Sequence, residues 1–167
     1  MTDARVAVRA AAPQDVADLC GLLNTIIQIG GTTAYEAPLT EAQFAEHFVT
    51  GPDLLSCFVA EDRDAGLMLG FQTICRNPGL PEDWADIATF ARVEPKVRGV
   101  GTGLFAATSV RARDLGLAAI NATIRADNAG GLAYYARMGF EDYAVAKGVP
   151  LMDGTPVDRI SKRYVVR

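Results

Sequence analysis

The segment Val93–Phe105 reads VEPKVRGVGTGLF, and its glycines at 99, 101 and 103 constrain the fold more than any other feature of the sequence. An apolar run precedes the segment and a helix-forming run follows it, so the pattern predicts a strand, a tight turn and a helix. Glycine lacks a Cβ atom, and the free N–H groups of a helix N-terminus attract anions. The sequence therefore predicts a phosphate-binding turn inside an α/β domain, with Arg98 at its entrance.

Three known phosphate-binding patterns compete for this turn. A Walker loop requires a lysine after its last glycine, and a dinucleotide fingerprint requires a third glycine where Leu104 stands. The third pattern, [Arg/Gln]-x-x-Gly-x-[Gly/Ala], is filled by Arg98, Gly101 and Gly103. On this segment alone, a glycine turn without any ligand is an equal alternative, because such turns are common between strands and helices.

The hydrophobic pattern of the whole chain predicts the order strand, two helices, three strands, helix, strand, helix, two strands. The predicted strands cover 6–10, 54–60, 67–74, 86–93, 118–124, 140–145 and 157–166, and the helices begin at Pro13, after Thr40, at 102 and at 128. Such mixing predicts an α/β fold with a partly antiparallel sheet flanked by helices. A length of 167 residues with 50% hydrophobic residues indicates a single domain, 1–167.

Charge and cysteine content argue against several classes of function. The chain has 16 basic and 20 acidic residues, and its net charge of −4 disfavours nucleic acid as a partner. Cys20, Cys57 and Cys75 lie far apart and His47 is the single histidine, so the spacing of a metal site is missing. No stretch resembles a membrane span or a secretory leader. We expect a cytoplasmic protein without metal, membrane or nucleic-acid binding.

A second motif, NAGGLAYYARMGF, runs from Asn128 to Phe140. Asn128 and Tyr135 are seven residues apart, which amounts to about 20° of rotation on a helix, so both side chains share one face. An amide and a phenol near a phosphate-binding turn suit one elongated ligand. Tyr135 alone is more often a core aromatic, and its combination with the turn favours the functional interpretation.

Together the two motifs resemble those of the GNAT superfamily of acetyl-CoA-dependent N-acetyltransferases. The resemblance implies a GNAT-like mixed, mostly antiparallel sheet that splays after the fourth strand, so that acetyl-CoA and an acceptor amine enter the slot from opposite sides. Tyr135 falls at the position of the tyrosine that protonates the departing thiolate, which makes it the implied catalytic residue. The implied cofactor-binding residues are the backbone of Ala91, Arg92 and Val93 along the pantetheine arm, the amides of Arg98, Gly99, Val100, Gly101, Thr102, Gly103 and Leu104 on the pyrophosphate, and Asn128 on the pantetheine.

The run TTAYEAPLT at 32–40 also resembles a loop of the phosphinothricin acetyltransferase-like enzymes, which acetylate small amino-acid-like amines. This narrower resemblance implies a small-molecule primary amine as acceptor. It implies Tyr35 and Glu36 as substrate-binding residues, with Arg92 or Arg76 as the cation for an acceptor carboxylate.

The sequence leaves several alternatives open. The base that deprotonates the amine is Glu36, Asp86, Glu94 or a chain of water molecules. The acceptor could instead be a protein N-terminus or lysine, or the protein could be an acyl-CoA-binding sensor without catalysis. A homodimer formed through 157–166 is compatible with the pattern as well.

Overall fold

A computed structural model describes residues 5–167. Seven strands form one sheet: β1 (Val6–Ala10), β2 (Leu54–Asp62), β3 (Leu67–Cys75), β4 (Trp84–Ala91), β5 (Ala119–Arg125), β6 (Glu141–Pro150) and β7 (Pro156–Val165). Their order across the sheet is β1-β2-β3-β4-β5-β7-β6. Every neighbouring pair is antiparallel except β4 and β5, which run parallel. The predicted α/β fold with a mixed, mostly antiparallel sheet is confirmed.

The parallel pair separates soon after it begins. β4 has eight residues, but only Trp84, Ala85 and Asp86 pair with β5. On its other edge β4 stays paired with β3 as far as Ala91. The two strands therefore diverge beyond Asp86 and open a slot between their carboxyl ends, which confirms the predicted splay.

Helices cover both faces of the sheet: α1 (Val16–Ile29), α2 (Glu41–Ala45), α3 (Val100–Asp114) and α4 (Ala129–Arg137). A 3-10 turn at Pro13–Asp15 precedes α1, and a π-helical turn at Glu46–Thr50 follows α2. The first two helices pack on one face around an apolar cluster that includes Phe44, Phe71 and Phe90. The last two pack on the other face, in a cluster that includes Phe105 and Tyr135. Because side chains alternate along a strand, neighbouring residues of β4 point into opposite layers.

Two predicted boundaries beside the slot were wrong by two residues. The fourth strand, predicted for 86–93, spans Trp84–Ala91, because β5 supplies partners for Trp84 and the last pairing with β3 is at Ala91. The third helix, predicted from Thr102, begins at Val100. Gly99 alone makes the turn, so the two later glycines are free to continue as helix. Within the described range, no helix is long and apolar enough to cross a membrane.

Candidate active site

The turn before α3 has the geometry of an anion-binding site. Gly99 precedes the helix with a φ of +83°, a left-handed conformation that favours glycine. Helix geometry leaves the first amides, from Val100 to Thr102, without acceptors inside the helix, whereas the Gly103 N–H donates to the Gly99 carbonyl over 2.8 Å. The first turn carries no acidic residue, and Arg98 is exposed beside it. This end of the helix therefore suits a phosphate or pyrophosphate group.

At the end of β4, the groups that face the slot are backbone N–H and carbonyl groups rather than charged side chains. Its edge toward β5 has no strand partner beyond the divergence, while its other edge is paired with β3 up to Ala91. The Arg92 guanidinium donates through Nε to the Met68 carbonyl over 2.6 Å, and it lines a groove against α1 together with Val93 and Glu94. The structure thus places Arg92 at the far end of β4 from Asp86, which does not favour the predicted contact with an acceptor carboxylate.

Asn128 is the N-cap of α4 and also contacts the loop that follows α1. Its Oδ1 accepts a hydrogen bond from the Gly131 N–H, and its Nδ2 donates to the Thr32 carbonyl, both over 2.9 Å. A Cβ atom at Gly131 would lie 2.4 Å from Asn128 Nδ2, so a side chain at 131 would displace this amide. Asn128 therefore joins the helix that carries Tyr135 to the Thr32–Glu36 loop at the wide end of the slot.

Tyr135 is buried at the slot, with 7% of its surface exposed. Its ring packs against the rings of Phe140 and Tyr134, at centroid distances of 5.0 and 4.9 Å. Its hydroxyl lies 2.8 Å from Thr89 Oγ1, on the part of β4 that no longer pairs with β5. Burial raises the pKa of Tyr135, and the hydrogen bond with Thr89 offsets part of that rise. The phenol therefore carries its proton at neutral pH.

A chain of hydrogen bonds continues from Tyr135 to the anion-binding turn. Gln72 Nε2 donates to Thr89 Oγ1 over 2.8 Å and to the Tyr134 hydroxyl over 3.0 Å. The Tyr134 hydroxyl donates in turn to the Gly101 carbonyl over 2.8 Å. Burial raises the pKa of Tyr134 to about 12. The predicted acid and the first turn of α3 thus belong to one partly buried polar network.

On the opposite face of the sheet, a polar row crosses the point where the slot begins. Cys75, Asp86, Asn121 and Arg163 are direct cross-strand neighbours on β3, β4, β5 and β7. Direct neighbours share a face, and Asn121 Nδ2 donates to Asp86 Oδ1 over 2.7 Å. Since Asp86 and Thr89 point into opposite layers, the slot is accessible to chemistry from both faces of the sheet.

Arg163 is held by two aromatic rings at the end of this row. Its guanidinium carbon lies 5.9 Å from the centre of the Trp84 ring and 5.8 Å from that of Tyr143. The Tyr143 hydroxyl donates to Asn121 Oδ1, which ties the same ring to the row. Arg163 is exposed, and the N–H groups of its guanidinium have no hydrogen bond or ion pair with any residue in 5–167. A cation with free donors therefore lies two strands away from the Asp86 carboxylate.

The two predicted substrate-binding residues are placed differently. Tyr35 is half-buried and packs against Phe90 at 6.4 Å; burial raises its pKa, and nearby Cys75 and Asp86 raise it further. Tyr35 thus lies on the face of the polar row. Both carboxylate oxygens of Glu36 accept from the Met152 N–H, at 3.1 and 3.0 Å, so Glu36 holds the turn between β6 and β7.

Sequence reasoning missed Gln72, Thr89, Arg125 and Arg163. Gln72 stands in the apolar run LMLGFQTIC, and Arg125 ends the apolar run AINATIR, so a polar residue in a buried strand was the available signal. Arg125 is buried, donates to both oxygens of Asp127 at 2.9 and 2.7 Å, and contacts the carbonyl of the Thr33 loop at 3.4 Å. Across residues 5–167, no three His, Cys, Asp or Glu side chains group closely enough to hold a metal ion.

Known proteins share this architecture. A family model described as the acetyltransferase (GNAT) family matches residues 24–140. None of the curated proteins matches the sequence. An N-acetyltransferase from Staphylococcus aureus Mu50 superposes with a TM-score of 0.86 at 18% identity, over 97% of this chain and 99% of that one.

Two further solved structures are similar over almost the whole chain. A phosphinothricin acetyltransferase from Sinorhizobium meliloti, solved in complex with acetyl-CoA, gives a TM-score of 0.85 at 22% identity, over 97% of this chain and 89% of that one. A ribosomal-protein-alanine N-acetyltransferase from Brucella melitensis gives 0.81 at 20% identity, over 95% and 99%.

The fold is therefore that of the N-acetyltransferases, with the sheet parted between β4 and β5 and a helix N-terminus facing the slot. The chain belongs to the GNAT family of acetyltransferases. The resemblance drawn from the two sequence motifs is thereby confirmed. At these identities the solved structures establish the fold alone and do not identify the acceptor.

Proposed function

We propose that this protein transfers the acetyl group of acetyl-CoA to the primary amine of a small molecule, by direct attack of the amine on the thioester. The observation that carries the proposal is the slot between β4 and β5, with the Tyr135–Thr89 pair on one face and the Asp86 row on the other. Family membership and the acetyl-CoA complex of the Sinorhizobium meliloti neighbour support the same co-substrate.

The chain has suitable groups for the pyrophosphate and the pantetheine arm of acetyl-CoA. Within the predicted Arg98–Leu104 segment, the free amides from Val100 to Thr102 would hold the pyrophosphate, because Gly99 turns the chain so that these N–H groups of α3 face outward. The predicted amide of Gly103 is already used, since it donates to the Gly99 carbonyl. The backbone of Ala91, Arg92 and Val93 would run along the pantetheine arm, and Asn128 would bind it from the other side. When bound, acetyl-CoA supplies the reactive thioester.

Tyr135 is proposed as the general acid that protonates the departing thiolate. Its hydroxyl is neutral, buried and positioned by Thr89 at the unpaired edge of β4. A thiol has an ordinary pKa near ~8.5, below that of a phenol. However, the burial that raises the pKa of Tyr135 also disfavours a free thiolate in the same place, so proton transfer as the C–S bond breaks lowers the barrier.

Asp86 is the best placed of the three candidate bases. Glu36 is engaged with the Met152 N–H, and Glu94 lies beyond the end of β4 in the groove against α1. Asp86 stands at the last paired position before the slot, where Asn121 donates to its Oδ1 and Asn77 donates to its Oδ2. Its position at the slot, rather than an unused oxygen, is what favours it. Its carboxylate would attract the acceptor ammonium and take its proton, directly or through water.

For an acceptor carboxylate, the geometry favours Arg163 over the two arginines predicted from the sequence. Arg92 donates to the Met68 carbonyl, whereas Arg163 has free donors and lies on the same sheet face as Asp86. Arg76, which is exposed directly after β3, is the alternative cation that the experiment must distinguish from Arg163.

The proposal is tested by an acetylation screen that follows release of the CoA thiol. The panel holds amino acids, their decarboxylated counterparts, polyamines, aminoglycosides and short peptides. We expect amino-acid-like amines to be preferred, with Arg163→Gln raising KM for the carboxylated acceptor about tenfold and leaving its decarboxylated counterpart unchanged. Arg76→Gln is the matched control. A preference for peptides would contradict the small-molecule acceptor, and acetyl-CoA binding without turnover of any amine would indicate a sensor.

A further inference from the structure

We propose that Thr89 and Gln72 are positioning residues for the acid step: they hold the Tyr135 hydroxyl in place and supply a hydrogen bond to its oxygen as its proton leaves. The inference rests on the proposed function, in which Tyr135 protonates the thiolate. It comes from the direction of the hydrogen bonds in the buried network rather than from either sequence motif.

The direction is set at the Gly101 end of the network. A carbonyl oxygen only accepts, so the Tyr134 hydroxyl must donate its single proton to Gly101 over 2.8 Å. The Tyr134 oxygen can then only accept from Gln72, at 3.0 Å. The nitrogen of the Gln72 amide must therefore face the hydroxyl groups.

The orientation of the Gln72 amide is confirmed by counting donors. In the observed orientation, the two N–H groups of the Gln72 amide donate to Tyr134 and Thr89. Gln72 Oε1 is buried and has no partner among residues 5–167. Turning the amide over would place an oxygen lone pair against Tyr134 and leave two buried N–H groups unpaired. Because unpaired buried polar groups are costly, the observed orientation is the better one.

Thr89 then has one proton and one acceptor site left for Tyr135. Its Oγ1 already accepts from Gln72, so its 2.8 Å contact with Tyr135 has two states. In one, Tyr135 donates to Thr89 and its proton is held. In the other, Thr89 donates to Tyr135, and the phenol proton is free to point into the slot. The second state is the one that general acid catalysis requires.

The same hydroxyl stabilises what the step leaves behind. As the amine nitrogen bonds to the acetyl carbon, the C–S bond breaks with its electron pair on sulfur, the Tyr135 O–H bond breaks, and an S–H bond forms. The phenolate oxygen then accepts from Thr89, whose own oxygen is polarised by the Gln72 N–H. The acceptor nitrogen gives up two protons in all, one before it attacks and one as the amide forms. One of them returns through solvent to the phenolate, which restores the enzyme, and the other is released to solvent.

The test compares kcat for CoA thiol release, with acetyl-CoA and the fastest amine of the screen, in Thr89 variants of the full chain. Thr89→Val keeps the shape and removes the hydrogen bond, so we expect kcat to fall about tenfold to a hundredfold, as for loss of one bond to a charged group. Thr89→Ser restores the hydroxyl, and kcat should stay within about threefold of wild type. Acetyl-CoA affinity, measured by calorimetry, should stay within about threefold in both.

A double-mutant cycle separates positioning from a merely structural role. If Thr89 acts through Tyr135, adding Thr89→Val to Tyr135→Phe should cost no further kcat. Thr108→Val, the same change at a fully buried threonine away from the slot, is the control and should leave kcat unchanged. Gln72→Met should lower kcat, and less than Thr89→Val does.

The outcomes distinguish this inference from the function on which it rests. A Thr89→Val enzyme with wild-type kcat, or an equal loss of kcat in the Tyr135→Phe background, overturns the positioning role and leaves the acetyltransferase activity intact. The proposed function, and the inference with it, is overturned if the wild-type protein binds no acetyl-CoA, or if it releases the CoA thiol with none of the amines in the screen.

Discussion

Replacing Gly101 with alanine tests how closely α3 and α4 approach each other at the slot. A Cβ atom at this position would lie 2.5 Å from Tyr134 Cε2 and 3.1 Å from Tyr134 Cζ. Carbon atoms in ordinary contact are about 3.5 Å or more apart, so the ring would have to withdraw by roughly 1 Å. The Tyr134 ring is held by bonds to Gly101 and Gln72 and packs on Tyr135, so it has little freedom to move.

Three contributions to the free energy of unfolding decide whether Gly101→Ala stabilises or destabilises the fold. Alanine in place of glycine inside a helix normally stabilises by about 1 kcal/mol. At Gly101, forced overpacking costs about 1–3 kcal/mol, and loss of the Tyr134 hydrogen bond costs about 1 kcal/mol more. We therefore expect Gly101→Ala to lower the free energy of unfolding by about 1–3 kcal/mol, which corresponds to a Tm lower by about 3–10 °C for a chain of this size.

The change in Tm is measured by thermal unfolding followed by circular dichroism, with Gly21→Ala as the matched control. Gly21 lies exposed inside α1, and a Cβ there would meet nothing within 4 Å, so Gly21→Ala should raise Tm. In a Tyr134→Leu background the cost of Gly101→Ala should largely vanish, because the obstructing ring is gone. An unchanged Tm for Gly101→Ala, or an equal cost in both backgrounds, would refute the close approach.

Three further predictions concern groups outside the slot. Thr108→Val should stabilise the fold by about 1 kcal/mol in urea unfolding, because the buried Thr108 hydroxyl has no partner within residues 5–167; a loss of stability would contradict this. The Arg9 guanidinium bonds Asp15 at 2.8 and 2.9 Å and, against a smaller opposing effect of burial, holds the pKa of that carboxyl below its usual value. The stability that the Arg9–Asp15 pair contributes is present above pH ~4 and is lost as the pH falls through the lowered pKa of Asp15. The wild-type protein should therefore lose more free energy of unfolding than Asp15→Asn between pH 5 and 2, and equal losses would exclude this contribution. Burial raises the pKa of the Cys57 thiol to about 12, so Cys57 should resist alkylation at pH 8 until the protein unfolds, and rapid native labelling would contradict its placement.

Local motifs in the sequence were sufficient to predict the family and the element order. The glycine run before α3 and the Asn128–Tyr135 spacing were both sound signals, since each rests on contacts within a few residues. The predicted starts of β4 at Asp86 and of α3 at Thr102 were wrong because they depend on tertiary partners: β5 extends β4 backward to Trp84, and Gly99 completes the turn before the later glycines.

The polar row at which we propose that the acceptor binds was largely beyond prediction from one sequence. Asp86 and Asn121 become neighbours through the pairing of β4 with β5, and Arg163 joins them because β7 inserts between β5 and β6. The order of strands in a sheet cannot be inferred from the spacing of these residues. Glu36 was predicted to bind substrate from its loop alone, and the structure shows that the backbone of Met152 already occupies its carboxylate.

The central claim is tested most directly by Tyr135→Phe. With acetyl-CoA and the best amine of the screen, we predict a turnover roughly 10²-fold below wild type, because the general acid is lost. Calorimetric affinity for acetyl-CoA and Tm should stay close to wild type, because the ring that packs on Phe140 is kept. A turnover within a factor of two of wild type across pH 6–9 would contradict the account, since the thiolate would then be protonated by water and Tyr135 would be a packing residue.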